Sequence, residues 1–188
     1  EIMVLKKAAG QTQVIWDDVR KKLRTGLTES DVAEMVDISV RRRGYGNSFA
    51  TIAAVGAGSA YPHAVPGKRV LKEGRILPVD LGISYRGYCS DLTRTFYKGR
   101  INGQIRGLER SVREAHDLAI RSIRPGIKIS EVVKGVSEVF RSYGYQKYAL
   151  HGLGHGIGLD VHERPYLGAG NNGVFREGMV VTVEPGLY

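Results

Sequence analysis

Two aspartates in the segment ILPVDLGISYRGYCSDLTRTF have a spacing that suggests chemistry. β-Branched and aromatic residues flank Arg86-Gly87 in this segment, a pattern that predicts a β-hairpin with a two-residue turn. In that register Asp80 faces Thr93, and Asp91 lies diagonally from Asp80 on the same face of the ladder. Two neighbouring carboxylates repel each other unless a cation or a shared proton lies between them. The pair therefore suggests a metal site, with two solvated aspartates on an exposed strand face as the alternative.

A second candidate is the stretch HGLGHGIGLDVHE, residues 151–163, which holds three of the five histidines and four glycines. Glycine at this density argues against a helix, so His151 and His155 are not a helical zinc-binding pair. In an extended chain His151, Leu153 and His155 alternate onto one face, and the glycines allow backbone or substrate to approach closely. Single histidines are usually structural, but this concentration of imidazoles favours a functional site.

An internal repeat connects these motifs to a third one. RTGLTESDV from Arg24 matches RPGIKISEV from Arg124, and EGRILPVDLG matches EGMVVTVEPG further along each half. The repeat predicts two like halves, about 1–100 and about 101–188, that share a core. It aligns Glu184 with Asp80, since both acids end an apolar strand. We expect a returning hairpin arm, with one more carboxylate, to belong after the last residue of this chain.

Around these motifs the sequence predicts an alternation of helices and strands. Apolar spacing indicates four helices, and a run of small and β-branched residues indicates one strand before the hairpin. The predicted helices are 2–23, 29–43 with Thr28 or Ser30 as cap, 104–123, and 131–143 with Ser130 as cap, and the predicted strand is 49–55.

Composition sets broad limits on the class of protein. The chain has 188 residues, of which 42% are hydrophobic, and it carries a formal net charge of +9. We expect one domain or two small halves, with no apolar run that could span a bilayer and no signal peptide. The single cysteine, Cys89, excludes an internal disulfide framework and favours a cytoplasmic location. The positive charge permits nucleic-acid binding, but the basic residues are mostly scattered, so nucleic acid is not the favoured partner.

The candidate ligands form one chemical set. Two aspartates, one glutamate and a histidine are hard-to-borderline ligands that suit Mn²⁺, Co²⁺, Fe²⁺ or Zn²⁺ better than copper. Several carboxylates that bridge ions usually indicate two metals, which share and activate one water molecule.

GYCSDLTRTF, HGLGHGIGLDVHE and the strand that ends in Glu184-Pro-Gly together resemble the pita-bread metallopeptidases. The GHGIGL core is similar to the Xaa-Pro branch, which includes aminopeptidase P and prolidase, rather than to the methionine aminopeptidase branch. The resemblance extends from near Glu1 to Tyr188. It implies an α+β fold of two pseudo-symmetric halves, in which helices cover a curved antiparallel sheet. The chain would be a C-terminal catalytic domain without its last strand.

The resemblance also implies roles for individual residues. Metal ligation is implied for Asp80, Asp91, His155 and Glu184, which would hold two divalent ions, Mn²⁺ or Co²⁺ first, with Zn²⁺ or Fe²⁺ as alternatives. Glu184 would also take a proton from the bridging water. Three further histidines would act on the substrate: His151 and His162 of the Gly-rich motif, and His63 in the segment PHAVPG. His63 and His162 would lie near the scissile bond and stabilise charge on its carbonyl oxygen, and His151 would line the specificity pocket.

The implied function is hydrolysis of the bond between an N-terminal residue and proline, through attack by a metal-bridging hydroxide. The substrate would be a peptide or dipeptide with proline second, and aminopeptidase and dipeptidase action stay open, as does a homodimer. The family's fifth ligand, a second glutamate on the last strand, has no counterpart here, nor does an N-terminal domain. The chain as given could therefore be inactive while the native protein is active. The alternative is a non-catalytic pita-bread module that binds protein or nucleic acid, which the retained ligand types disfavour.

Overall fold

A computed structural model describes residues 1–188 and divides them into two compact units. The first unit comprises Glu1–Ile101 together with Gly158–Val161, and the second comprises Asn102–Ile157 together with His162–Tyr188. Each unit combines two α-helices with short antiparallel strands, and none of the four helices has the length and apolar character needed to span a membrane. The helices are α1 (Ile2–Arg20), α2 (Glu29–Arg42), α3 (Gly103–Ser122) and α4 (Ile129–Ser142). The strands are β1 (Gly46–Asn47), β2 (Ile52–Ala53), β3 (Ile76–Leu81), β4 (Ile83–Tyr85), β5 (Tyr88–Cys89), β6 (Leu92–Tyr97), β7 (Gly154–Gly156) and β8 (Glu163–Leu167).

The helix pair of the first unit packs its apolar stripes into one core. Helix α1 ends three residues earlier than its apolar spacing predicts, and helix α2 matches its prediction to within one residue. Thr28 caps α2, because its hydroxyl accepts the Asp31 N–H at 3.1 Å while the Asp31 carboxylate accepts the Thr28 N–H at 2.7 Å. This reciprocal capping box selects Thr28 over Ser30 as the cap.

The predicted hairpin is confirmed. Strands β3 and β6 pair antiparallel with Asp80 opposite Thr93, and β4 and β5 continue the hairpin to a tight turn. Arg86 and Gly87 both have positive φ angles, 53° and 82°, which a two-residue turn of type I′ requires. The two ladders meet at Gly82, where an added Cβ would overlap the carbonyl oxygen of Ser90.

The predicted strand over 49–55 is wrong except for β2, which covers Ile52 and Ala53. Two side chains near its start bind one carboxylate of helix α2. Asn47 Nδ2 lies 2.6 Å and Thr51 Oγ1 lies 2.8 Å from Asp37 Oδ1. These contacts tie the segment between β1 and β2 to helix α2.

In the second unit, helices α3 and α4 pack against each other, and β7 pairs with β8. Helix α4 begins at Ile129, so the prediction of Ser130 as its cap is wrong. The backbone supplies the missing acceptors, because Ile129 N–H donates to Gly173 O at 2.9 Å and Ser130 N–H donates to Asn171 O at 3.0 Å. Helix ends need acceptors for their first N–H groups, and here a neighbouring extended segment provides them.

The sequence repeat has a counterpart in the backbone hydrogen bonds of each unit. Ser30 N–H donates to Gly67 O in the first unit, as Ser130 N–H donates to Asn171 O in the second, each at 3.0 Å. Three further backbone N–H to carbonyl bonds of the first unit each have a match in the second. The donor and acceptor residues are Gly26 and Leu71, matched by Gly126 and Phe175; Leu71 and Leu27, matched by Phe175 and Ile127; and Glu29 and Arg69, matched by Ile129 and Gly173. The helix starts of the two halves are therefore built in the same way.

Candidate metal centre

His155 and Glu184 meet where two extended segments of the second unit run side by side. Thr182 N–H donates to His155 O at 2.8 Å, and Glu184 N–H donates to Leu153 O at 2.7 Å. His155 belongs to β7 and is buried, at 7% exposure. The pairing brings His155 Nε2 to 3.1 Å from Glu184 Oε1, an oxygen that is itself buried.

The contact of the other ring nitrogen of His155, Nδ1, determines whether Nε2 directs a hydrogen or a lone pair at the carboxylate. Nδ1 lies 2.9 Å from the carbonyl oxygen of Gly156, and a carbonyl only accepts, so the hydrogen is on Nδ1. In the neutral ring Nε2 then directs a lone pair at a carboxylate. That contact is repulsive unless a second proton or a cation compensates it. An imidazole nitrogen and a carboxylate oxygen at one buried point fit a divalent metal of the borderline class.

Thr182 supports both residues, and sequence reasoning missed it. Its Oγ1 accepts the His155 N–H at 2.9 Å and lies 3.3 Å from His155 O, so the hydroxyl completes the ladder at this point. One signal could have found it. Thr182 is the polar residue of the apolar run VVTV, and it stands two positions before Glu184, on the same face of an extended strand.

The electrostatic surroundings keep Glu184 ionised. Burial by itself would raise the pKa of this carboxyl group. When the ring of His155 is protonated, its hydrogen bond and its charge, together with a hydrogen bond from Thr182 and the charge of His151, outweigh that effect and hold the pKa below the ordinary glutamate value. The residue is therefore a carboxylate near neutral pH, as ligation or proton acceptance requires.

The other two histidines of the motif have different surroundings. The His162 ring is exposed and stands over His155, with the ring centroids 4.3 Å apart and the planes inclined by 50°. His151 is exposed as well and contacts Tyr188, whose hydroxyl lies 3.0 Å from His151 Nε2. His162 thus adjoins the His155–Glu184 pair, whereas His151 lies against the aromatic ring that follows Glu184.

In the first unit the hairpin positions the two aspartates. Asp80 lies in β3 between Ile52 of β2 and Thr93 of β6, and Asp91 comes immediately before β6. Since Asp91 and Thr93 are two residues apart, the register favours one face for both aspartates. One carboxylate oxygen of each aspartate is buried. His63 is exposed, in the loop that precedes β3.

The chain belongs to metallopeptidase family M24, whose family model matches residues 4–188. Membership implies a divalent metal ion as cofactor. Among curated proteins, the chain is 36% identical over 189 residues to a putative dipeptidase of Bacillus subtilis and 35% identical over 189 residues to the Xaa-Pro dipeptidase of Pyrococcus furiosus. All of this chain is covered, but only 52% and 54% of those proteins. The chain thus spans about half the length of the curated relatives it matches.

Solved structures agree with this assignment. The chain superposes over its full length on 54% of the X-Pro aminopeptidase of Thermotoga maritima, with a TM-score of 0.96 and 33% identity. It also superposes on 56% of the prolidase of Pyrococcus furiosus, with a TM-score of 0.96 and 35% identity. Aminopeptidase P of Escherichia coli gives a TM-score of 0.93 at 29% identity, with 47% of that chain covered. The fold is therefore the pita-bread fold, and the resemblance stated from the motifs is confirmed.

Proposed function

We propose that the protein is a metal-dependent exopeptidase that hydrolyses the peptide bond between an N-terminal residue and proline. Membership of a metallopeptidase family supports the reaction class. The names of its relatives, an Xaa-Pro dipeptidase and an X-Pro aminopeptidase, support the substrate class. The observation that carries the proposal is the buried His155 Nε2 facing Glu184 Oε1 at 3.1 Å, because this contact fits a bound cation.

The proposed ligands are Asp80, Asp91, His155 and Glu184, which would hold two divalent ions, Mn²⁺ or Co²⁺ first. The buried carboxylate oxygens of Asp80, Asp91 and Glu184 support this set, since buried carboxylates are normally paired or coordinate metals. When bound, a divalent ion supplies Lewis acidity, which acidifies water and polarises a carbonyl group.

The protein's own groups hold and move protons and orient the peptide. Glu184, which is ionised near neutral pH, accepts a proton on its carboxylate. His162, which is exposed above His155, and His63 donate hydrogen bonds to the carbonyl oxygen of the scissile bond as negative charge develops there. His151 lines the pocket that receives the substrate.

A preference for proline has a physical reason. The bond before proline carries no N–H, so a site built for it needs no acceptor at that point and can close on the pyrrolidine ring instead. A peptide with alanine second presents an N–H that such a pocket leaves unpaired. The unpaired group costs about 1–3 kcal/mol, which is enough to discriminate between the two substrates.

A cytoplasmic location is part of the proposal and rests on the single cysteine.

The test combines metal binding with turnover. Mn²⁺ binding is measured by calorimetry, and hydrolysis by the full-length native protein is measured on matched pairs of peptides that differ only in proline or alanine at position two. We expect metal binding, and cleavage of the proline peptide only. Asp91→Asn should abolish cleavage with an unchanged thermal midpoint, while the control Asp117→Asn, an exposed residue of α3, should leave it intact.

Three results would overturn the proposal. Full turnover by Asp91→Asn would exclude this residue from the metal site. Equal cleavage of both peptides would exclude a proline-specific pocket. Metal binding without cleavage of either peptide, or no metal binding at all, would favour the non-catalytic binding module.

A further inference from the structure

Glu29 is a buried acid that the proposed reaction leaves without a role. It is the first residue of α2 and, at 1% exposure, the only acidic residue among the buried residues. Burial of a carboxylate costs free energy of folding unless the group is hydrogen-bonded or paired with a positive charge. The partners of Glu29 therefore indicate what it does.

The Glu29 carboxylate binds both ends of one loop. Its Oε1 accepts the backbone N–H of Val55 at 2.7 Å, and its Oε2 accepts the backbone N–H of Gly67 at 2.9 Å. Arg69 adds an ion pair, with Nη1 at 3.7 Å from Oε2. Residues 55 and 67 bracket the loop that carries His63. One side chain thus joins the two points at which this loop leaves and re-enters the body of the first unit.

The loop is shaped to receive this carboxylate. At Gly58 an added Cβ would lie 3.1 Å from Glu29 Oε1 and 2.9 Å from Arg69 Nη1, so a larger residue would press on both groups. At Gly67 an added Cβ would lie 3.4 Å from Oε2. The backbone therefore approaches the buried acid closely on both sides.

The internal repeat shows that the acid is not needed to build the helix. Ile129 occupies the position of Glu29 in the second half, and it is likewise 1% exposed. Both residues donate their backbone N–H to an extended segment, Glu29 to Arg69 and Ile129 to Gly173. An isoleucine thus meets the needs of the same helix start, so the helix does not require the carboxylate that Glu29 presents to the loop and to Arg69.

From these contacts we infer that Glu29 is a positioning residue, which fixes the loop of residues 55–67 and through it the imidazole of His63. The inference rests on the proposed function, since it assigns Glu29 to the placement of a histidine that acts on the substrate. Small displacements of a group that acts on the reacting atoms cost about 100-fold in rate. Glu29 itself touches no reacting atom.

The test begins with a readout that needs no activity. In Glu29→Gln the neutral amide keeps the size of the side chain but presents a donor to one of the two N–H groups. We expect amide hydrogen exchange of Val55 and Gly67 to quicken by about tenfold or more, because a hydrogen bond to a charged group is lost. The control Val36→Ala removes buried apolar volume from the same helix. It should lower the thermal midpoint without changing exchange in the loop.

Kinetics on the metal-loaded protein then test the positioning itself. Glu29→Gln should lower kcat by about 10-fold to 100-fold and change KM by less than about twofold, because His63 acts on charge that develops during the reaction. In a His63→Ala background the same substitution should change kcat by less than about twofold. A merely structural role would lower kcat in both backgrounds, and so would overturn the inference.

A second variant tests the inference if Glu29→Gln does not fold. Glu29→Ile places in the first half the residue that the second half uses, and the same exchange and kinetic results are expected from it. Exchange at Val55 and Gly67 that stays at the wild-type rate in the folded variant would overturn the inference. If wild-type protein cleaves no Xaa-Pro peptide, the proposed function fails, whereas the anchoring of the loop is still decided by exchange.

Discussion

Nε2 of His155 lies 3.1 Å from Oε1 of Glu184, in two extended segments joined by backbone hydrogen bonds. The Gly156 carbonyl holds a hydrogen on Nδ1, so in the neutral imidazole the Nε2 lone pair and the carboxylate converge on one buried point. A nitrogen lone pair and a negatively charged carboxylate oxygen repel each other at this distance, so a positive charge is needed between them. The pair therefore gives a cation an electrostatic reason to bind in the second unit.

Replacement of His155 by alanine should weaken Mn²⁺ binding by at least about tenfold, because the ring nitrogen is lost and Glu184 loses its partner. Calorimetry on the purified protein measures the dissociation constant. His116→Ala is the matched control, since His116 lies on the surface of α3 with its side chain 48% exposed. Equal affinity in the His155 variant and the control would contradict the ligand assignment.

Replacement of Thr182 by valine should lower both stability and metal affinity. The His155 N–H loses its acceptor at 2.9 Å, which costs about 1–3 kcal/mol in the free energy of unfolding. Groups that orient a ligand typically contribute about tenfold or more to metal affinity, so Mn²⁺ binding should weaken by about that factor. Urea denaturation and calorimetry measure the two effects. Thr95→Val, at an exposed position of β6, should show neither.

Replacement of Gly82 by alanine should destabilise the first unit severely. The new Cβ would overlap the carbonyl oxygen of Ser90 and lie 2.8 Å from Phe49 Cε1, at the junction of the two hairpin ladders. Overpacking of this kind costs about 3 kcal/mol or more where the backbone itself must move.

Gly10→Ala is the matched control for that substitution. Gly10 is exposed within α1, and nothing lies within 4 Å of a Cβ added there. Alanine should therefore stabilise the protein by about 0.5–1 kcal/mol through its higher helix propensity. Denaturant unfolding compares the two variants, and a Gly82→Ala protein as stable as wild type would contradict the packing described for the hairpin.

The capping box of α2 should make stability depend on pH. Hydrogen bonds from the Thr28 backbone and side chain hold the pKa of Asp31 below the ordinary aspartate value. A lowered pKa in the folded state stabilises the protein above the unfolded-state pKa, and this contribution is lost as the pH falls through the folded-state value. Asp31→Asn should therefore lower the thermal midpoint at pH 7, and its difference from wild type should shrink below about pH 4.

Thermal melts between pH 7 and pH 3 measure this effect. Glu34→Gln is the control, since Glu34 is an exposed carboxylate three residues further along the same helix and takes no part in the cap. A constant difference between Asp31→Asn and wild type across the range would show that the cap does not act through the charge of Asp31.

Local patterns in the sequence determined much of this fold. The Arg86-Gly87 turn sets the hairpin register, so Asp80 lies opposite Thr93 as predicted. The repeat anticipated the matching helix starts of the two halves, because both depend on short segments with the same spacing. Periodicity also found all four helices, since apolar residues at helical spacing need only a core to pack against.

Other features depend on contacts between residues far apart in the chain, and only the tertiary structure decided them. Ser130 has the residue type of a helix cap, but Asn171 O satisfies its N–H, so α4 begins earlier. In the sequence, Glu29 is an ordinary acidic residue at a helix start. Only the folded chain shows that its carboxylate accepts the backbone N–H groups of Val55 and Gly67. The physical reason is the same in both cases. A buried polar group takes the partner that the folded chain brings to it, and its own neighbours in the sequence do not specify that partner.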